Sequence, residues 1–290
     1  MKIYHLIISL VFLFALTACN NQNENIPIDK EVVLEITLKE GTSRNIIEGS
    51  VLPDESQMGV FVVDSDENIM ESNVLVNYVD KVCQMTEPVY LSKEDMNVYA
   101  YYPYDKSASL KKIQVNAKNQ IDYLYGYAVN DNDVKTTVNI DQPHANILLK
   151  HIMSRITFNI EKVDEIETEL YFTDIMVEGF NGSGTFDIQK GEFLSMEKIG
   201  FSLKFPAESK SVDFLTMPTD NVQSVYLNIG INNKSYAVKL PEGAWESGQQ
   251  YTYTIIVEKG NVSIGTIEIT PWNENIKDGI EINDNNYIEN

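Results

Sequence analysis

Val225-Tyr226-Leu227-Asn228-Ile229-Gly230-Ile231-Asn232-Asn233-Lys234-Ser235-Tyr236-Ala237-Val238-Lys239-Leu240-Pro241 is the stretch that decides the fold class. Val225, Leu227, Ile229 and Ile231 alternate with smaller or polar residues, the period of a strand with one face buried. The run ends at Asn232-Asn233, residues that tolerate the left-handed conformation of a tight hairpin turn. Tyr236, Val238 and Leu240 carry the alternation back, and Pro241 stops it. The reading is a β-hairpin.

The same pattern recurs outward from this hairpin. Val32, Leu34, Ile36 and Leu38 alternate with Val33, Glu35 and Thr37. Met58 to Val63 is a short apolar run, and Val98 to Tyr102 is an aromatic run halted by Pro103. Val134 to Ile140 alternates, as do Ile156-Phe158-Ile160 and Tyr251-Tyr253-Ile255-Val257. Leu170 to Val177 reads as a strand followed by a turn cluster, Gly179-Phe180-Asn181-Gly182-Ser183-Gly184. Val262-Ile264 and Ile267-Ile269 close the series before Pro271-Trp272. No segment shows a sustained helical period. Short strands at roughly 8–12 residue spacing with turn signals argue for antiparallel β-sandwiches. Two such domains are expected, residues 32–146 and 147–290, parted near Asp141-Gln142-Pro143-His144.

The N-terminus reads differently. Lys2 and His5 precede an apolar run from Leu6 to Leu16 that is too short for a membrane span of about 20 residues. It ends in Leu16-Thr17-Ala18-Cys19, which looks like a lipobox. Residues 1–18 are therefore expected to be a cleavable signal peptide and Cys19 the lipid-bearing residue. Two or more acyl chains hold stably where one does not. Residues 19–31 are expected to be a tether, polar from Asn20 to Asn25.

Charge and composition exclude several functions. The 290-residue chain has 22 Lys+Arg against 43 Asp+Glu, a formal charge of −21. Removing residues 1–18 removes Lys2 and no acid, which makes −22. Such a chain repels nucleic acid and offers no basic patch for it. Once Cys19 is lipidated only Cys83 remains, so no internal disulfide is possible. Cys83 reads as a small buried hydrophobe.

No catalytic constellation is visible. His144 and His151 match no zinc spacing and read as structural histidines. Gly182-Ser183-Gly184 lacks the frame of a nucleophile elbow. Asp64-Ser65-Asp66-Glu67-Asn68 opens like a calcium loop but carries Ile69 and Leu75 where glycine and glutamate are needed. Asn130-Asp131-Asn132-Asp133 fails in the same way, and both read as hairpin turns. No cofactor, metal or catalytic residue is expected. Tyr99, Tyr101, Tyr102 and Tyr104, with Trp245 and Trp272, are either core residues or platforms for a sugar.

Five segments in order carry a resemblance. They are Met58-Gly59-Val60-Phe61; Val98-Tyr99-Ala100-Tyr101-Tyr102-Pro103-Tyr104; Asp122-Tyr123-Leu124-Tyr125-Gly126; His151-Ile152-Met153-Ser154-Arg155-Ile156-Thr157-Phe158; and Trp245-Glu246-Ser247-Gly248-Gln249-Gln250-Tyr251-Thr252-Tyr253 with Ile269-Thr270-Pro271-Trp272. Behind a lipobox, they make the chain resemble the fimbrillins, lipoprotein pilins of Gram-negative gut and oral bacteria. The resemblance implies two transthyretin-like β-sandwich domains, no enzymatic activity and a place in the outer membrane and its fimbriae. It implies other fimbrial subunits as partners, joined by strand exchange, and a host or bacterial surface ligand.

Gly41-Thr42-Ser43-Arg44 resembles the site at which many family members are cut after a basic residue. Val32, Leu34, Ile36 and Leu38 then form the candidate exchanged strand, with Arg44 six residues beyond it. After Trp272 only Gly279-Ile280-Glu281-Ile282 alternates, so a stalk, tip, anchor or accessory role stays open. The alternative function is a surface glycan-binding lipoprotein.

Overall fold

The computed structural model describes residues 31–39, 52–162, 168–258, 261–272 and 287–288. Cys19, Arg44 and the signal sequence lie outside the described residues. The strands in chain order are β1 Val32–Val33, β2 Glu35–Leu38, β3 Ser56–Val63, β4 Ile69–Val79, β5 Val82–Met85, β6 Tyr90–Leu91, β7 Asn97–Tyr102, β8 Ile113–Asn116, β9 Leu124–Ala128 and β10 His144–His151. Then follow β11 Ser154–Lys162, β12 Phe172–Asp187, β13 Glu192–Ser209, β14 Ser211–Thr216, β15 Tyr226–Ile231, β16 Lys234–Val238, β17 Gln249–Glu258, β18 Asn261–Pro271 and β19 Tyr287–Ile288. The fold is all-β, and the described residues from Val32 onward gather into one compact unit. Among the described residues no helix is long and apolar enough to cross a membrane.

A seven-stranded sheet runs in the order β2-β10-β9-β7-β3-β4-β5, and its two edge strands, β2 and β5, approach one another. β1 pairs separately with β6. β3 and β7 are buried on both faces. Met58, Val60 and Val62 of β3, with Val98 and Ala100 of β7, join one core together with Leu34, Ile36 and Ile147. Phe61, Tyr99 and Tyr101 point the other way, into a second core. That double burial is why Met58 to Val63 reads as a continuous apolar run.

A four-stranded sheet, β14-β11-β17-β18, faces a sheet ordered β16-β15-β12-β13-β19. Phe158, Phe214, Tyr253 and Ile255 from the first meet Phe172, Phe180, Phe201 and Leu227 from the second. The opening hairpin is present as β15–β16, in which Ile231 pairs with Lys234 and both Asn232 and Asn233 have positive φ.

Three details differ from the sequence reading. The Gly179–Gly184 segment is not a turn: β12 runs through it with register shifts at Glu178/Phe180 and Asn181/Ser183. Glycine is required there because the neighbouring strand is close. A Cβ on Gly184 would lie 2.2 Å from the Ser195 carbonyl oxygen. Val134 to Ile140 is not a strand either and makes only isolated bridges, such as Met96 to Val138. The sheets are also not wholly antiparallel, since β2 pairs with β10 and β11 with β17 in parallel. Both parallel partners are distant in sequence, where local alternation carries no signal of direction.

β10 crosses the expected division between residues 146 and 147, and by its pairing it belongs to the seven-stranded sheet. The expected turns at Asp64–Asn68 and Asn130–Asp133 do form. The Asp64 carboxylate accepts from the Asp66 and Asn68 amides, and Asn130 Oδ1 accepts from those of Asn132 and Val134.

Candidate functional site

The N-terminal strands form the site the sequence nominated. Leu34 and Ile36 are buried, Val32 and Leu38 half-buried, and Val33, Glu35 and Thr37 exposed. The four candidate residues thus share the inward face, as alternation requires. Around them stand Val89, Leu91, Ala145 and Ile147.

Few backbone bonds hold the segment. β1 pairs with β6 over two residues, and β2 pairs with β10 over four. The Leu34 amide donates to the Val89 carbonyl, that of Glu35 to Pro143, and that of Lys39 to Ile147. Lys39 Nζ also reaches Asp133 at 2.6 Å and the Asn130 carbonyl at 2.7 Å. The segment is therefore a short edge strand with a large apolar payload.

The remaining sequence candidates are structural. Tyr101 is fully buried, and its hydroxyl donates to Asn73 Oδ1 or the Asp105 carbonyl at 2.7 and 2.9 Å. Burial raises its pKa to about 12. Trp245 is buried and its indole N–H donates to the Tyr253 hydroxyl at 2.9 Å. Burial likewise raises Tyr253 to about 12. Trp272 is buried and stacks on His151, with ring centroids 3.9 Å apart. Neither tryptophan, nor Tyr99 or Tyr101, forms an exposed sugar platform.

The two histidines end up at opposite ends of β10 and do not meet. His144 is exposed, with Nδ1 2.9 Å from Glu35. His151 is buried, with Nδ1 2.6 Å from Asp122. Among the described residues no three His, Cys, Asp or Glu side chains are placed to hold a metal. Cys83, on β5, is half-buried against the core, and burial raises its thiol pKa to about 11. The His151–Asp122 pair leaves no local pattern, because its partners lie 29 residues apart.

A family model described as fimbrillin-like matches residues 48–272. The chain belongs to the fimbrillin-like family. That family is one of structural pilins, so this fimbrillin-like chain is a component of a cell-surface appendage and not an enzyme. Among solved structures, a proposed cell adhesion protein of Bacteroides uniformis matches with a TM-score of 0.68 and 14% identity, over 85% of this chain and 99% of that one. Another from Bacteroides ovatus matches with a TM-score of 0.63 and 17% identity, over 85% and 99%. The tip fimbrial protein Mfa3 of Porphyromonas gingivalis matches with a TM-score of 0.50 and 10% identity, over 83% and 100%. At such identities the likeness is one of fold. No curated protein sequence matched the chain.

Proposed function

We propose that this fimbrillin-like chain is a fimbrial subunit that joins its neighbours by β-strand exchange and contributes to adhesion. In this reading residues 1–18 are a signal peptide, Cys19 carries the lipid, and residues 19–31 tether the folded part to the outer membrane. The observation that carries the reading is the inward face of Val32, Leu34, Ile36 and Leu38 on edge strands held by few backbone bonds.

Cleavage after Arg44 would sever that segment from the rest of the fold. Before the cut it competes at high effective concentration as part of its own chain. After the cut it can leave, and a strand from another subunit can take the groove. Reburying four apolar side chains contributes about 1.5–3 kcal/mol each before ordering costs. We place the division between the two domains at Ile152–Met153, between β10 and β11, with β8 lent by the first part to the second domain's sheet, where it pairs with β12.

Electron microscopy of isolated surface fibres, labelled with antibody against this chain, tests the assignment. Regular labelling along or at the ends of fibres is expected. Label confined to fibre-free membrane would contradict it. Of the aromatics behind the glycan-binding alternative, Tyr99, Tyr101, Trp245 and Trp272 are buried, and only Tyr102 and Tyr104 stay partly exposed.

A further inference from the structure

Below the cross-strand pair Lys150–Tyr125 lies a recess of about 170 Å³ lined by Tyr125, Lys150, His151, Phe186, Gly191 and Ser247, among others. We propose that this recess binds a carboxylate-bearing sugar, a uronic-acid residue being the class that fits. The proposal stands apart from strand exchange, because none of the candidate exchanged residues lines the recess.

Charge supplies the first argument. Lys150 lines the recess and, like most described lysines, makes no ion pair with a carboxylate among the described residues. Its ammonium donates to the Tyr127 hydroxyl at 3.1 Å and stands 5.0 Å from that ring's centroid. An ammonium has three donors, so Lys150 can still bind an anion.

Shape supplies the second. Gly191 has a φ of +71°, and a Cβ there would stand 2.5 Å from the Tyr125 hydroxyl oxygen. Glycine at this position lets the backbone pass close against the Tyr125 ring and hydroxyl. Tyr125 itself lines the recess. Phe186 packs edge-on against the Tyr125 ring at 4.9 Å and fixes it. His151, a further wall residue, keeps Nε2 buried without a hydrogen-bond partner. The Ser247 hydroxyl donates to the Ile152 carbonyl at 2.9 Å, which leaves its lone pairs for a sugar hydroxyl.

The chemistry follows from these groups. Lys150 would meet the carboxylate, while Tyr125 and Ser247 meet ring hydroxyls and the aromatic wall meets the sugar's C–H face. The volume suits one sugar residue, below the usual range for drug-sized ligands. The guest is a free uronate or the end residue of an acidic oligosaccharide.

Calorimetric titration of the full-length protein with glucuronate, an oligouronate, glucose and acetate tests this. Glucuronate or the oligouronate is expected to bind, and neither glucose nor acetate to match them. Binding of the oligomer alone would assign the site to chain ends. Lys150→Met should weaken binding about tenfold or more, the loss expected of one charge-assisted hydrogen bond. Tyr125→Phe keeps the ring and its packing and should weaken binding about three- to tenfold. It carries the prediction even if Lys150→Met does not fold. Failure of both uronates to bind overturns the proposal. So does acetate binding as tightly as glucuronate, or unchanged affinity in Tyr125→Phe.

Discussion

Ile36 of β2 stands opposite Ala145 of β10 in a parallel pair at the edge of the seven-stranded sheet. The small Ala145 leaves the payload to the inserted strand. Leu34→Ala should therefore lower the free energy of unfolding by about 2–5 kcal/mol, the range for emptying a buried leucine site. Val33→Ala, on the exposed face, should change it by about 0.5 kcal/mol or less. Urea melts of the uncleaved protein check both, and equal losses at the two positions would count against the inward register.

Gly126 of β9 lies where β10 passes closest. A Cβ there would stand 2.1 Å from the Leu148 carbonyl oxygen, a backbone atom that cannot swing aside. Gly126→Ala should destabilise the protein by more than an exposed strand substitution does, about 1–3 kcal/mol from overpacking. A variant with an unchanged urea midpoint would show that β9 and β10 are further apart.

Alkaline pH should destabilise the fold. Burial raises Tyr101 and Tyr253 from 10.0 to about 12 and Cys83 from 9.0 to about 11. Each group is neutral when folded at a pH where the unfolded chain has already ionised. Their stabilising contribution is complete below about pH 9 and falls as pH rises towards 12. Unfolding midpoints measured from pH 8 to 12 should drop progressively. A flat profile would mean that these groups are more solvated than the structure shows.

Fold class was legible because the amphipathic strands carry local alternation, as in Leu227, Ile229 and Ile231. What failed was local inference about glycine. Gly179 to Gly184 look like a turn in isolation, yet in the fold they let β12 approach β13 closely. The inward face of Leu34 and Ile36 was legible for the same reason as the hairpin. The Lys150–Tyr125 recess was not, since its walls come from four separated segments. Long-range pairing, such as β2 with β10, leaves no periodic trace.

Cys19 is expected to hold the protein to the membrane. In fractionated cells, wild-type protein should stay with the membrane through detergent-free washing and enter the detergent phase on extraction. Cys19→Ala should appear uncleaved or in the soluble fraction. A Cys19→Ala protein that remains on washed membranes would show that another feature anchors the chain.

Strand exchange released by a cut at Arg44 is the centre of the account. Arg44 and Arg155 are the only arginines, and Arg155 is held in β11 by the Asp213 carboxylate. The decisive measurement is the size distribution of folded full-length protein after treatment with an arginine-specific protease, by light scattering and denaturing gel, beside an Arg44→Ala control. The account predicts a fragment shortened by residues up to 44, higher oligomers from the cut wild type and monomer from the control. Wild-type protein fully cut at Arg44 that stays monomeric when concentrated would contradict it.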